Sequence, residues 1–261
     1  MTIDPSHTIP VSVTKSFCSL NCPHCGGHYL KHMATVEEIP SYVEKGYRSF
    51  LISGGMLPDG SIPFERYKEI LEWYKKKYNL LYNFHVGFKK SRTAKELADV
   101  VSMDFFGDSK IMKKIYGISL SPYEILEIAR FYERVVFHIT VGIMGGEISH
   151  EEKALEILSN ETDSIVLNVF IPTVGTVFEE KEPPILKDVL KVFEKARKLF
   201  KRVILGCMQP KGAYRKSLQE SLKGIVDDIT KPVESKGKFK GCCAFILYRK
   251  NSGFPGPMSN V

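Results

Sequence analysis

The chain has no long hydrophobic run, and this absence excludes a membrane-spanning helix of ordinary length. Such a helix needs about 20 consecutive apolar residues, and no stretch of the 261-residue sequence approaches that length. Residues 1–10 also lack the basic region and apolar run of a signal peptide. We therefore expect a cytoplasmic protein with no membrane partner.

Dense runs of basic residues are missing as well. The formal net charge is +7, from 37 lysines and arginines against 30 carboxylates, but the lysines fall in short, scattered groups. Nucleic-acid binding normally needs basic residues concentrated on one stripe or patch. We therefore expect no nucleic-acid partner, while an acidic protein or an anionic substrate suits the charge.

Cysteine is scarce and unevenly distributed. Three of the six cysteines lie within residues 18–25, and the others are Cys207, Cys242 and Cys243. In a reducing compartment, clustered cysteines indicate metal binding or thiol chemistry rather than a disulfide framework.

Short β-branched or aromatic runs alternate with amphipathic helical stretches along most of the chain. The predicted strands are Ile9–Phe17, Ser49–Ile52, Leu81–Val86, Val100–Phe105, Val135–Val141, Ile165–Ile171 and Val203–Leu205, with an eighth at Ile225–Ile229 or Ala244–Tyr248. This alternation predicts parallel strands with helical crossovers. The dinucleotide-binding glycine fingerprint is missing after the first strand, which favours a barrel over an open sheet.

We therefore predict the α/β class and a TIM-type (β/α) barrel of six to eight units over residues 1–230. Residues 231–261 would form a short C-terminal extension that packs on or near the barrel mouth without being a separate domain. In such barrels the reactive groups follow the C-terminal ends of the strands.

Cys18, Cys22 and Cys25 follow the first predicted strand, with gaps of three and two residues. A short loop that brings three thiolates together can hold a 4Fe–4S cluster whose fourth iron stays open to another ligand. The alternative is a zinc site on Cys22 and Cys25, completed by a nearby histidine such as His24.

This cysteine spacing after a first barrel strand resembles the radical S-adenosylmethionine (SAM) superfamily. The resemblance implies SAM bound at the open iron and cleaved reductively to a 5′-deoxyadenosyl radical, with a ferredoxin or flavodoxin-like protein as reductant. His24 stands where the superfamily usually has an aromatic residue near the adenine.

Later strand ends extend the resemblance to the biotin synthase and lipoyl synthase branch. Ser53-Gly54-Gly55 resembles the superfamily's Gly-Gly-Glu segment, with Met56 in place of the acidic residue. Residues 141–147 and 171–176 resemble the Gly-Ile-x-x-Gly and Pro-x-x-Gly-Thr elements of this branch. The cofactor-binding residues implied in this way are His24, Ser53, Gly54, Gly55, Asp104, Gly142, Gly145, Pro172 and Gly175. Asp104 and Cys207 are the catalytic candidates, although Cys207 could simply be a small buried hydrophobe.

Cys207, Cys242 and Cys243 are the remaining ligands for an auxiliary iron–sulfur cluster. Their placement resembles one subunit of the archaeal two-component lipoyl synthase. This implies sulfur insertion into an octanoyl chain, a second radical SAM subunit and an acidic lipoyl or octanoyl carrier protein. Two alternatives stay open: a single-cluster methylase, mutase or cofactor-biosynthesis enzyme, and a non-enzymatic iron–sulfur electron-transfer or sensor protein.

His85 and His138 lie within predicted strands. Either side chain could face the barrel interior, but a hydrogen-bonded core histidine is the commoner arrangement, and we expect that for both.

Overall fold

In a computed structural model of the chain, the described residues are 1–234 and 237–247. Ten strands lie in that part: β1 Thr2–Asp4, β2 Thr8–Ser12, β3 Ser49–Ser53, β4 Leu81–Val86, β5 Val100–Asp104, β6 Val135–Val141, β7 Ser164–Val169, β8 Arg202–Leu205, β9 Asp228–Thr230 and β10 Phe239–Lys240. Nine α-helices accompany them: α1 Ile39–Glu44, α2 Lys68–Tyr78, α3 Arg92–Leu97, α4 Ser109–Tyr116, α5 Pro122–Ala129, α6 Glu151–Leu158, α7 Leu186–Leu199, α8 Ala213–Ser221 and α9 Cys243–Ile246.

All strand pairings are parallel, and they connect the strands into one sheet in the order β10-β1-β9-β8-β7-β6-β5-β4-β3-β2. The sheet curves into a nearly closed barrel. Where its two edges approach, the backbone N–H of Cys242 donates to Thr8 Oγ1 at 2.8 Å. The predicted TIM-type α/β architecture is confirmed.

The outer face of the sheet is apolar because alternate residues of each strand point toward the surrounding helices. Phe50, Ile52, Tyr82 and Phe84 are fully buried in this layer. Helix α5 shows how the crossovers are set: Ser121 accepts from the Glu124 N–H, and the Glu124 carboxylate accepts from the Ser121 N–H, which forms a capping box.

The inner face of the sheet changes character along the strands. Near the strand starts, a buried apolar cluster contains Val100, Val136, Val166 and Ile204. Two residues further along β4 to β7, on the same face, the side chains are Asn83, Ser102, His138 and Asn168, all buried. The barrel is therefore apolar at its floor and polar toward its mouth.

Helix α9 fills this floor. Cys243, Ala244, Phe245 and Ile246 are buried in the same cluster as Ile3 of β1. The predicted strand Ala244–Tyr248 is therefore wrong for residues 244–246, which are helical; Tyr248 lies outside the described residues. Of the predicted extension, residues 231–261, the structure describes 231–234 and 237–247, and residues 243–246 lie near the starts of the strands.

The other strand predictions differ from the structure mainly at their ends. The first predicted strand, Ile9–Phe17, stops at Ser12, because the chain turns there and Ser12 Oγ donates to the Lys15 carbonyl at 2.6 Å. Strand β9 overlaps Ile225–Ile229, one of the two positions predicted for an eighth strand. Within the described residues, no helix has the length and apolar character needed to cross a membrane.

Candidate functional site

The cysteine loop, residues 13–27, leaves the C-terminal end of β2 at the barrel mouth. Lys15 and Asn21 adopt positive φ angles of 54° and 43°, and Gly26 and Gly27 do so at 49° and 72°. The N–H groups of Cys25 and Gly26 both donate to the Cys22 carbonyl, at 3.0 and 2.8 Å. These tight turns bring residues 22–25 back on themselves.

Cys22, His24 and Cys25 form a compact set of ligand atoms within 4.8 Å of one another. A contact between the two thiols raises the pKa of Cys22 and lowers that of Cys25 to about 4. Burial opposes the shift at Cys25, and the adjacent His24 reinforces it. Cys25 is therefore a thiolate at neutral pH, which is the form that binds metal.

Cys18 lies beside this group, and the segment after β3 holds it there. The Cys18 thiol faces the Met56 carbonyl at 3.9 Å, and the Ser19 N–H donates to the same carbonyl at 2.9 Å. Gly55 is in such close contact that a Cβ there would lie 1.9 Å from the Phe17 carbonyl oxygen and 2.6 Å from Cys18 Cα. Packing against the cysteine loop thus requires glycine at position 55, in addition to its predicted role in binding the cofactor.

Ser53 and Gly54 complete this segment. Ser53 Oγ donates to the His85 carbonyl at 3.1 Å, which ties β3 to β4 near their ends. A Cβ on Gly54 would meet Val13 Cγ2 at 3.0 Å and Thr14 Oγ1 at 3.2 Å. Their roles toward SAM stay predictions.

The segment after β7, residues 170–178, also contacts the cysteine loop. Tyr29 Oη and Thr173 Oγ1 are 3.1 Å apart, and the Phe178 N–H donates to the Pro23 carbonyl at 3.0 Å. The predicted residues Pro172 and Gly175 lie in this segment, and Gly175 has a φ of 79°. Residues 170–178 therefore form part of the wall around the candidate cluster site.

The glycine turn after β6, residues 142–146, packs against residues 181–184, which precede α7. Gly142 and Gly145 have φ angles of 75° and 70°. A Cβ on Gly142 would lie 2.8 Å from Pro184 Cβ, and the Gly142 N–H donates to Glu151 Oε1 at 2.7 Å. These contacts shape the barrel mouth, and the SAM contacts of both glycines stay predictions.

Asp104 faces the barrel interior at the end of β5. Tyr116 Oη donates to Asp104 Oδ2 at 3.0 Å, and His85 Nε2 lies 3.6 Å from Asp104 Oδ1. Burial disfavours the charged carboxylate, but the charge and hydrogen bond of His85, together with His138 and Tyr116, outweigh burial and hold the Asp104 pKa at about 2. Burial would lower the pKa of His85, but the charge and hydrogen bond of Asp104, together with the charge of Cys242, raise it. Asp108, by contrast, caps α4 through the Lys110 N–H.

His138 lies next to this pair, with its ring centroid 5.7 Å from that of His85. Burial, reinforced by the His85 charge, lowers the His138 pKa to about 4, so the ring is neutral. Its buried Nε2 has no hydrogen-bond partner. His85 and Asp104 retain side-chain exposures of 33% and 23% although strands surround them. Together these residues line a solvent-reached chamber.

Sequence reasoning missed this histidine–aspartate group, because it treated His85 and His138 as core residues. Two-residue alternation from Leu81 and Val136 could have placed both on the inner face. Only the strand register, which sets Asp104 beside His138, brings the three together. Tyr116, which contributes from α4, carried no sequence signal.

The three later cysteines lie around the same interior. Cys242 and Cys243 are at the barrel floor, and Cys207 follows β8. Asn83 Nδ2 donates to Cys242 Sγ at 3.3 Å, and the pKa of Cys242 falls to about 7, chiefly through a hydrogen bond from Cys243. Burial raises the pKa of Cys207, and the charge of Cys242 raises it further. Among the described residues, these three thiols do not form a preassembled ligand group; Cys22, His24 and Cys25 do.

Comparison with solved structures identifies the same architecture elsewhere. Methylornithine synthase (PylB) matches with a TM-score of 0.59 over 91% of this chain and 74% of its own, at 16% sequence identity. A psychrophilic glycoside hydrolase family 10 endo-β-1,4-xylanase matches with a TM-score of 0.41 over 85% of each chain, at 11% identity, a likeness too weak to interpret. No protein-family model and no curated protein matches the sequence.

Proposed function

We propose that this chain is a radical SAM enzyme whose cluster is held by Cys18, Cys22 and Cys25. The observation that carries the proposal is the cysteine loop itself, at the mouth of a parallel barrel, with Cys22, His24 and Cys25 already converged. The barrel shared with methylornithine synthase supports it. A structural zinc site is less suited, because it would leave Cys18 without a role and need a fourth protein ligand.

The residues of the loop fit an iron–sulfur cluster. The donor set is three thiols, one of which is already ionised, and cluster irons prefer thiolates. His24 Nδ1 is buried and has no hydrogen-bond partner, as expected for a group that meets a ligand. When bound, the cluster and SAM would supply an electron to the sulfonium and a carbon radical able to abstract hydrogen.

The protein's own part is to orient the reactants and to exclude water. The cysteine loop and residues 170–178 wall the mouth, and α9 closes the floor. Asp104 is an ionised acceptor inside the chamber, and it raises the pKa of His85, whose Nε2 lies 3.6 Å from Asp104 Oδ1. His138 adds a neutral ring with a free nitrogen. These groups can hold a polar part of SAM or of the substrate by charge-assisted hydrogen bonds.

Anaerobic reconstitution followed by strong reduction with SAM tests this function. We expect bound iron and release of 5′-deoxyadenosine from the wild type, and neither from Cys22→Ala. Thr93→Ala is the control, because it removes a small buried side-chain group on α3 and keeps all six cysteines. A wild-type protein that binds iron but releases no 5′-deoxyadenosine, even with candidate substrates, would contradict the enzymatic proposal in favour of an electron-transfer or sensor protein.

The finer proposal is sulfur insertion of the lipoyl synthase type. It is supported by the placement of Cys207, Cys242 and Cys243 in one interior, where burial and Cys242 raise the pKa values of the other two thiols. Movement of α9 or of residues 206–209 would have to bring them together around an auxiliary cluster. A second radical SAM subunit and an acidic octanoyl carrier protein would then be the partners.

Iron quantification separates this finer proposal from a single-cluster methylase, mutase or cofactor-biosynthesis enzyme. An auxiliary cluster predicts about eight irons per chain, against about four for one cluster. The triple variant Cys207→Ser/Cys242→Ser/Cys243→Ser should then fall to about four irons and still cleave SAM. An octanoyl-lysine peptide that gains no sulfur from an eight-iron wild type would exclude octanoyl thiolation by this chain alone.

A further inference from the structure

The outward side of the cysteine loop combines exposed apolar and basic residues. We define the loop face as Lys15, Phe17, His28, Tyr29 and Lys31. Phe17 is 59% exposed and Tyr29 37% exposed, although large aromatic side chains normally bury most of their surface. Lys15 and Lys31 are both exposed.

Backbone contacts place the two segments that carry these residues side by side. A Cβ on Gly27 would lie 3.9 Å from the Ser16 carbonyl oxygen and 3.8 Å from Cys18 Cβ, so segments 15–18 and 27–32 lie side by side. The His28 ring meets Tyr29 and His32 at centroid distances of 5.6 and 5.4 Å. The face is therefore built on the two turns that flank the cluster cysteines.

The charge of this region has one sign. Residues 5–36 contain Lys15, Lys31 and four of the seven histidines, and no aspartate or glutamate. The carboxylates of Glu37, Glu38, Glu179 and Glu180 lie outside residues 5–36; Glu38 accepts from the Thr35 N–H and Glu179 from the Gly175 N–H, each at 2.7 Å, which fixes their positions and leaves their charges in place. A basic face with an aromatic centre is complementary to an acidic protein surface.

We propose that the loop face is the docking site of an acidic, flavodoxin-like electron donor. The inference rests on the proposed function, because that function requires one electron per SAM cleaved. Phe17 is bonded directly to Cys18, so a protein seated on Phe17 and Tyr29 would lie next to the cluster ligands. The donor's flavin hydroquinone would lose one electron and become the semiquinone. That electron, delivered through the cluster to the sulfonium, would cleave a sulfur–carbon bond of SAM to give methionine and the 5′-deoxyadenosyl radical.

The test uses reconstituted holoenzyme with two double variants of equal charge. Lys15→Glu/Lys31→Glu reverses the loop face. The control Lys153→Glu/Lys198→Glu reverses two exposed lysines on α6 and α7. Each double variant lowers the formal net charge from +7 to +3, since each substitution removes two charges. Affinity for oxidised flavodoxin is measured first, because this needs no turnover. The rate of flavodoxin hydroquinone oxidation with SAM follows.

At low ionic strength we expect the loop-face variant to lose about tenfold or more in both affinity and rate, with the difference shrinking as salt rises. Phe17→Ser should lose about tenfold in affinity at every salt concentration, because it removes an apolar contact. Dithionite, which needs no docking, should drive SAM cleavage equally in the wild type and in both double variants.

Equal losses in the two double variants would overturn the proposal, because the effect would then be one of net charge alone. So would a loss confined to binding of an octanoyl carrier protein, which would assign the face to another acidic partner. Failure of the proposed function would give a different result: neither the wild type nor any variant would cleave SAM with dithionite.

Discussion

Gly55 lies so close to the cysteine loop that no side chain fits there. Substitution by alanine would place a Cβ 1.9 Å from the Phe17 carbonyl oxygen, and backbone atoms cannot give way cheaply. We expect Gly55→Ala to cost about 1–3 kcal/mol of stability, as overpacking typically does. We also expect it to displace Cys18, so that less iron binds on anaerobic reconstitution.

Gly54→Ala is the matched control for this effect. Its Cβ would meet three side-chain atoms, of Val13, Thr14 and Ile62, at 3.0 to 3.3 Å, and side chains can shift. Iron loading should fall less than in Gly55→Ala. If Gly55→Ala bound as much iron as the wild type, the contact with Cys18 would have no part in forming the site.

His138 should make the stability of the fold depend on pH. Burial and the His85 charge lower its pKa to about 4 in the folded chain, from an ordinary 6.5. Between these values the unfolded chain binds a proton that the folded chain does not. The free energy of unfolding should therefore fall as the pH drops from 6.5 to 4, by up to about 3 kcal/mol.

Urea denaturation across this pH range, on the wild type and on His138→Gln, checks the prediction. The variant should lose most of the slope that His138 causes, while buried His150, whose pKa is also lowered, keeps its own share. Parallel curves for the two proteins would show that His138 is not neutral in the folded chain.

At the residue scale, the sequence was sufficient where chemistry follows from spacing along the chain. The gaps between Cys18, Cys22 and Cys25 predicted a shared site, and Cys22 and Cys25 do converge. The grouping of His85, Asp104 and His138 depends on cross-strand register, which no short segment encodes. The contact between Gly55 and Cys18 is likewise a matter of how two loops meet in space.

Helix α9 contributes four buried side chains to the barrel floor, so we expect its packing to stabilise the barrel. Phe245 is 4% exposed in the floor cluster that contains Val100, Val136 and Val166. Phe245→Ala would leave a cavity there, and such changes typically cost about 3–5 kcal/mol. Urea denaturation should show this loss. Tyr123→Ala, at a side chain that is 67% exposed, should change stability by less than about 0.5 kcal/mol.

The strands show why some elements could be predicted and others could not. Seven of them, β2 to β8, are runs rich in β-branched or aromatic residues, so composition identified them. The run Ala-Phe-Ile-Leu has the composition of a strand, but it fits the barrel floor as a short helix, and a short apolar run does not decide between the two. β1 has only three residues and pairs with strands far along the chain.

At the scale of the whole molecule, the two ends of the described chain close the same interior. β1 pairs with both β9 and β10, and Ile3 is fully buried in the cluster that also holds α9. The barrel floor therefore cannot form until the last elements have been added to the first. We expect β1 and α9 to open together rather than as separate units.

Hydrogen exchange monitored by mass spectrometry checks this coupling. Ile3→Ala should cost about 2–5 kcal/mol and lower the protection of amides in residues 2–4 and 243–246 by the same free energy. Val174→Ala, at an 81% exposed side chain of the mouth, should leave both segments unchanged. If α9 kept its wild-type protection in Ile3→Ala, the barrel would have a floor that forms independently of its first strand. The chamber beneath the cysteine loop would then be closed by the C-terminal segment alone.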